Sequence, residues 1–141
     1  MRGDSFPHGR SALRDLSRDR FCRDSHPLTL IGVFERHTRK PAQLMVLDSE
    51  SGAMGASVPC VNDSDDVYYD ASRKRIYAPG GEGFISVIQQ SDADHYKALA
   101  KIPTTVGART GLWYEKRDRF YLAVPASSKQ GAALWVYAPE D

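Results

Sequence analysis

Only a few short stretches of this chain carry residue types at spacings that chemistry requires. The acidic run Asn62–Asp66 offers several oxygen atoms in one loop, the ligand type that calcium prefers. It lacks the glycine and the closing glutamate of an EF-hand loop, so a polar turn is the alternative interpretation. A second cluster holds Asp92, Asp94 and His95, where a metal site and a polar turn before a strand are again the two interpretations.

No residue set typical of catalysis is found. The sequence contains no Gly-x-Ser-x-Gly elbow, no P-loop and no His-Glu-x-x-His motif. The residues Gly81-Glu82-Gly83 lie in a predicted hairpin and not between a strand and a helix, which argues against a dinucleotide loop. Cys22 and Cys60 form no metal or redox motif. We therefore expect a protein that is not an enzyme, with no catalytic residue, no metal site and no cofactor.

Composition narrows the class of partner. The chain has 141 residues, 41% hydrophobic and 26% charged, and a formal net charge of +1. These values are typical of one globular domain and give no reason to expect a nucleic-acid partner. No apolar run of about 18 residues is present, so no membrane span is expected. The segment 1–38 is rich in arginine and aspartate and is predicted to be a disordered or weakly helical tail. It contains no continuous apolar segment typical of a secretory signal, and the compartment stays open.

A repeat organises the rest of the chain. The stretch Val67–Tyr77 (VYYDASRKRIY) returns as Leu112–Tyr121 (LWYEKRDRFY) with one residue deleted, and the two final tyrosines lie 44 positions apart. Val58-Pro59 and Ile102-Pro103 are also separated by 44 positions. Repeats of about 40–45 residues, each made of four short strands, are typical of β-propeller blades.

The repeat predicts short strands in a fixed order. In the best-defined blade we predict four strands, at 66–70, 74–78, 84–89 and 95–102. The following blade has strands at 110–114, 119–124 and 133–137 and no fourth strand. The preceding blade has its third and fourth strands at 43–48 and 53–59, a poor second strand at 28–34, and no recognisable first strand. The expected fold class is therefore all-β, with four-stranded antiparallel blades in an incomplete ring.

The stretches RKPAQLMVLDSESG (39–52), DDVYYDASRKRIYAPGGEGFISVIQQ (65–90), DADHYKALAKIPT (92–104) and RFYLAV (119–124) resemble the YVTN-type seven-bladed β-propellers, which are related to the quinoprotein amine dehydrogenase propeller. The resemblance covers residues 39–141, about 2.3 blades at 44 residues each. It implies a C-terminal fragment of a longer propeller, preceded by a non-homologous segment 1–38. Intact relatives of this family are often periplasmic or secreted.

We expect the loops at one end of the predicted blades to carry the binding residues. Asp65, Asp66 and Arg109 lie on predicted connections between blades, and Glu82 lies in a hairpin at the same end of the blades. Loops on a rigid scaffold commonly carry binding residues, so these four are the candidate binding residues. The expected function is a non-catalytic binding or scaffolding module for an unknown protein or small-molecule ligand. The alternatives are a fragment of a quinoprotein-like or lactonase-like propeller enzyme and a truncated gene product without its own function. We also expect association through exposed blade edges.

Overall fold

The chain forms an all-β structure. The computed structural model describes residues 21–23, 29–34, 42–48 and 50–140, and these residues form eleven strands in three antiparallel sheets. The helical content of these residues is a single 3-10 turn at Glu115–Arg117. Within the same residues, no helix has the length and apolarity that crossing a membrane would need.

Each sheet is built from consecutive strands of the chain. The first sheet contains β1 (Phe21–Arg23), β2 (Thr29–Phe34), β3 (Gln43–Asp48) and β4 (Met54–Pro59). The second contains β5 (Tyr68–Asp70), β6 (Arg75–Gly80), β7 (Phe84–Gln90) and β8 (Tyr96–Pro103). The third contains β9 (Thr110–Tyr114), β10 (Arg119–Val124) and β11 (Ala133–Tyr137). Neighbours along the chain are neighbours in the sheet, which is the up-and-down order of a blade.

The strands predicted from the repeat are confirmed from β2 to β11, with ends displaced by at most two residues. The sequence shows no recognisable first strand for this sheet, but the structure has one, because β1 pairs with β2 through Cys22 opposite Ile31. Pairing with a neighbouring strand defines such a short edge strand, and its own sequence carries little β signal. Both β1 and β2 fall within the predicted tail 1–38, of which residues 1–20, 24–28 and 35–38 lie outside the described residues.

The turn between the first two strands of a sheet explains the charged residues of the repeat. In the second sheet, Asp70 Oδ1 accepts hydrogen bonds from the backbone N–H groups of Ser72 (3.0 Å) and Arg73 (3.3 Å). In the third sheet, the backbone carbonyl of Glu115 closes the turn by accepting from Asp118 N at 3.0 Å. Lys74 and Asp118 end the two turns at equivalent positions with φ of 51° and 52°. The repeat therefore preserves the turn conformation although the residues that close it differ.

Two apolar cores lie between successive sheets. The first core joins sheets one and two through buried residues that include Leu44, Val46, Ile76, Ala78 and Ile88. The second core joins sheets two and three and has its own buried set: Tyr77, Ile85, Val87, Ala108, Phe120, Leu122 and Val124. Alternate residues of the second sheet therefore face opposite cores, as the period of two along a strand requires.

The third sheet has three strands within the described residues, as the repeat predicts. In the first two sheets the outermost strands, β4 and β8, lie against each other. Because no described residue forms a fourth strand of the third sheet, Leu99 and Ile102 of β8 border a groove of about 550 Å³ that is also lined by Tyr137. The groove lies beside β11, at the edge where the first two sheets have a fourth strand.

Candidate functional site

Three chain connections come together at one end of the sheets. They are residues 60–67 between the first two sheets, the hairpin 81–83 within the second sheet, and residues 104–109 between the second and third sheets. Gly81 N donates to the carbonyl of Asp63 at 2.8 Å, and Gly107 N donates to the carbonyl of Gly81 at 2.8 Å. We call residues 60–67, 80–83 and 101–110 the loop face. The backbone bonds fix the three connections against one another.

Two glycines allow this close approach. A Cβ added at Gly81 would lie 1.9 Å from Asp63 Oδ2, so a side chain there would displace the carboxylate. Gly83 has a φ of +100°, a conformation that L-residues with side chains rarely adopt. The Gly-Gly-Glu-Gly hairpin thus places the Glu82 carboxylate beside the connection 60–67.

Arg109 joins the two connections between the sheets. Its Nη1 donates to both carboxylate oxygens of Asp63 at 2.7 Å, and its Nε lies 3.3 Å from Asp65 Oδ2. Thr110 Oγ1 donates to Asp65 Oδ2 at 3.2 Å. The hydrogen bond and the charge of Asp63 raise the pKa of Arg109 further, which keeps the guanidinium charged. Arg109 and Asp65, both predicted from the sequence, are therefore direct partners.

Glu82 holds a second group of polar contacts. Its Oε2 accepts a hydrogen bond from Asn62 Nδ2 at 2.8 Å, and its Oε1 lies 2.8 Å from Lys101 Nζ. Burial alone would raise the pKa of Glu82, but the hydrogen bonds from Lys101 and Asn62 outweigh it and hold this pKa below its usual range. Lys101 also lies over the Phe84 ring, 4.5 Å from its centroid, which is a cation–π contact. Glu82 is thus an anion at neutral pH.

Asp66 has a different place from the other three predicted residues. Its backbone carbonyl accepts a hydrogen bond from Ser64 Oγ at 3.1 Å. Among the described residues, no cation lies within ion-pair distance of its carboxylate. The structure brings Asp65, Glu82 and Arg109 into the paired network and leaves Asp66 beside it, half-buried.

The sequence does not predict that Asn62, Asp63 and Lys101 pair with the candidate residues Glu82 and Arg109. Asn62 and Asp63 were visible in the acidic run, but their contacts are with residues about 20 and 46 positions away. Lys101 lies on a strand whose local pattern gives no sign of a role. Among the described residues, no three His, Cys, Asp or Glu side chains are arranged to hold a metal ion. The arrangement can bind charged groups, and the described residues show no paired nucleophile and base.

The second acidic cluster is a polar turn in the structure. The carboxylate of Asp92 accepts from the backbone N–H groups of Asp94 and His95, each at 3.0 Å, and lies 2.7 Å from His95 Nδ1. The hydrogen bond that the His95 ring donates to the Asp92 carboxylate raises the pKa of His95. This turn connects β7 to β8 at the end of the sheet away from the loop face, so it forms no part of that surface.

Searches with this chain against protein-family profiles, curated proteins and solved structures find no match.

Proposed function

We propose that this chain is a non-catalytic β-propeller-type repeat module that binds a positively charged segment of a partner protein on its loop face. The observation that carries this proposal is the surface built from three alternate connections of the chain and fixed by backbone hydrogen bonds. The 44-residue spacing of the repeat and the resemblance of residues 39–141 to YVTN-type blades support the propeller part of the proposal.

Charge selects the kind of partner. The loop face carries the carboxylates of Asp63, Asp65, Asp66 and Glu82 against the cations Lys101 and Arg109, which leaves an excess of negative charge. The whole chain has a formal net charge of +1, so attraction to a cation requires a local acidic surface of this kind. Lysine or arginine side chains of a partner can pair with Asp66 directly and compete for the carboxylates that Arg109 and Lys101 hold.

The proposal is tested with a fluorescein-labelled decalysine peptide and the full chain, followed by fluorescence anisotropy at moderate salt. We expect saturable binding that Asp66→Asn weakens by about threefold, the effect of one partly screened charge pair. Asp66→Asn leaves the paired network intact, so its fold should be unchanged. The matched control is Asp94→Asn, which removes an exposed carboxylate outside the loop face.

Two results would contradict the proposal. One is an equal loss of affinity with Asp94→Asn and Asp66→Asn, which would show attraction to net charge alone. The other is binding of a labelled decaglutamate peptide as tightly as decalysine. This would indicate that the loop-face cations Lys101 and Arg109, and not its carboxylates, bind the partner.

A further inference from the structure

The outer face of the third sheet is apolar and uncovered. Leu134 and Val136 of β11 are 62% and 53% exposed, and Leu112 of β9 is 55% exposed. Tyr114 is also exposed on this sheet. Large apolar side chains grouped on one exposed face are typical of an interaction surface.

Equivalent positions in the other two sheets are buried. Val46 pairs with Ile31, Val87 pairs with Tyr77, and Val136 pairs with Tyr121, which places these three valines at the same position of their sheets. Val46 and Val87 are 3% and 5% exposed, against 53% for Val136. The first two sheets also shift register directly after their valine, at equivalent points. The third sheet therefore presents the same face as the other two, without a sheet to cover it.

The residues that cover this face inside the chain are known from the two cores. Ile76 and Ala78, on either side of Tyr77, are in the core that buries Val46. Phe120 and Leu122, on either side of Tyr121, are in the core that buries Val87. In each case the second strand of the following sheet covers the third strand of the sheet before it.

The first sheet holds the matching register. Because Ile31 pairs with Val46 as Tyr77 pairs with Val87, Leu30 and Gly32 of β2 occupy the positions that Ile76 and Ala78 hold in the second sheet. The first sheet begins the stack, and within the described residues no sheet precedes it. The third sheet thus has an uncovered face at one end of the stack. At the other end, the second strand of the first sheet has the register of the strands that cover such a face in the second and third sheets.

We propose that the outer face of the third sheet binds the first sheet of a second copy of this chain, in a head-to-tail arrangement. Such an interface is heterologous: it joins different surfaces of the two copies and adds further copies until the ring closes or a filament grows. It uses a different surface from the loop face, so either proposal can fail without the other.

The first test is the mass of the purified full chain in solution, measured by light scattering over a range of concentrations. The chain mass is 15.7 kDa, and we expect a weight-average mass that rises with concentration beyond that of a dimer. Leu134→Lys should weaken the association by about tenfold or more, since it places a charge in the centre of the interface. Val106→Lys is the matched control, because Val106 is exposed on the loop face and should leave the mass unchanged.

The second test distinguishes head-to-tail from face-to-face association. Leu134→Cys and Leu30→Cys are made in separate chains that also carry Cys22→Ser and Cys60→Ser, and the two chains are mixed under mild oxidation. We expect disulfide-linked heterodimers in excess over either homodimer. A dominant homodimer of the Leu134→Cys chain would show a symmetric contact of two third sheets and overturn the arrangement.

Two results of the first test would also overturn the proposal. One is a monomer at all concentrations, and the other is an oligomer that Leu134→Lys leaves intact while circular dichroism shows a native fold. A Leu134→Lys chain that fails to fold is replaced by Val136→Thr, which keeps the β-branched shape and should still weaken association.

Discussion

Replacing Asp70 with alanine should lower the free energy of unfolding by about 3 kcal/mol, because the change leaves buried donors without their acceptor. The carboxylate is fully buried beneath the turn between β5 and β6. It accepts from Ser72 Oγ at 2.6 Å, from Arg73 Nη1 at 3.1 Å and from the Tyr77 hydroxyl at 3.3 Å. Urea unfolding at one fixed, low protein concentration measures the change.

Asp70 also contributes to the contact between the second and third sheets, because its partner Arg73 pairs with Asp118. Loss of the Asp70 carboxylate should therefore weaken this contact as well as the turn. Arg73 donates from Nη1 and Nη2 to the two carboxylate oxygens of Asp118, at 2.6 Å and 2.9 Å, in a bidentate pair. Burial, and then the charge of Asp70, raise the pKa of Tyr77 to about 12, so its hydroxyl remains a donor at neutral pH. The matched control is Asp48→Ala, whose carboxylate closes a similar turn on the exposed surface and should change stability far less.

Acid should remove the same contribution. Burial alone would raise the pKa of Asp70, but hydrogen bonds from Ser72 and Arg73 and the guanidinium charge hold it below the ordinary value of 3.8. A depressed folded-state pKa stabilises the fold above the unfolded-state value and loses that stabilisation as the pH falls through the folded-state value. The wild-type chain should therefore lose stability below about pH 4 more steeply than Asp70→Ala. Parallel pH profiles for the two proteins would contradict the assignment.

Replacing Phe120 with alanine should lower the free energy of unfolding by about 4 kcal/mol, the usual cost of removing a buried aromatic ring. Phe120 lies in the core between sheets two and three and contacts Tyr68 edge to face, with ring centroids 5.4 Å apart. Tyr77 lies 5.7 Å from it, centroid to centroid. Because the Tyr77 hydroxyl also donates to Asp70, the cavity that Phe120→Ala leaves beside Tyr77 would also loosen the turn between β5 and β6.

Thermal and urea unfolding measure this change. The control is Leu112→Ala, an apolar truncation on the uncovered face of the same sheet, which should cost little in a dilute sample. Equal losses for the two variants would contradict the placement of the second core on one face of the third sheet.

The sequence predicted the strands because the repeat supplies the same short patterns at a fixed spacing. The turn at Asp70 and the alternation of Ile76 and Tyr77 are local features, and local features are visible in one sequence. The strand β1 was missed because three residues in an arginine-rich segment carry no pattern of their own. Its position follows from pairing with β2, which is a non-local contact.

The sequence predicts where the candidate binding residues lie, but it does not predict which of them form ion pairs. The repeat brought Asp65, Glu82 and Arg109 to one end of the sheets, since successive sheets present equivalent loops there. Which carboxylate faces Arg109 depends on the loop conformation, and Asp63 reaches it with a positive φ of 56°. The Arg73–Asp118 pair was missed for the same reason, because it joins residues 45 positions apart on two different sheets.

Three equivalent sheets are stacked, and the outer face of the third sheet is uncovered among the described residues. The most direct test is the thiol-labelling rate of Val46→Cys, Val87→Cys and Val136→Cys, each in a chain with Cys22→Ser and Cys60→Ser and at high dilution. We predict slow labelling at 46 and 87 and labelling about 100-fold or more faster at 136, which corresponds to an opening free energy of about 3 kcal/mol for the buried positions. Equally fast labelling at 87 and 136, in chains that circular dichroism shows to be folded, would contradict the stack.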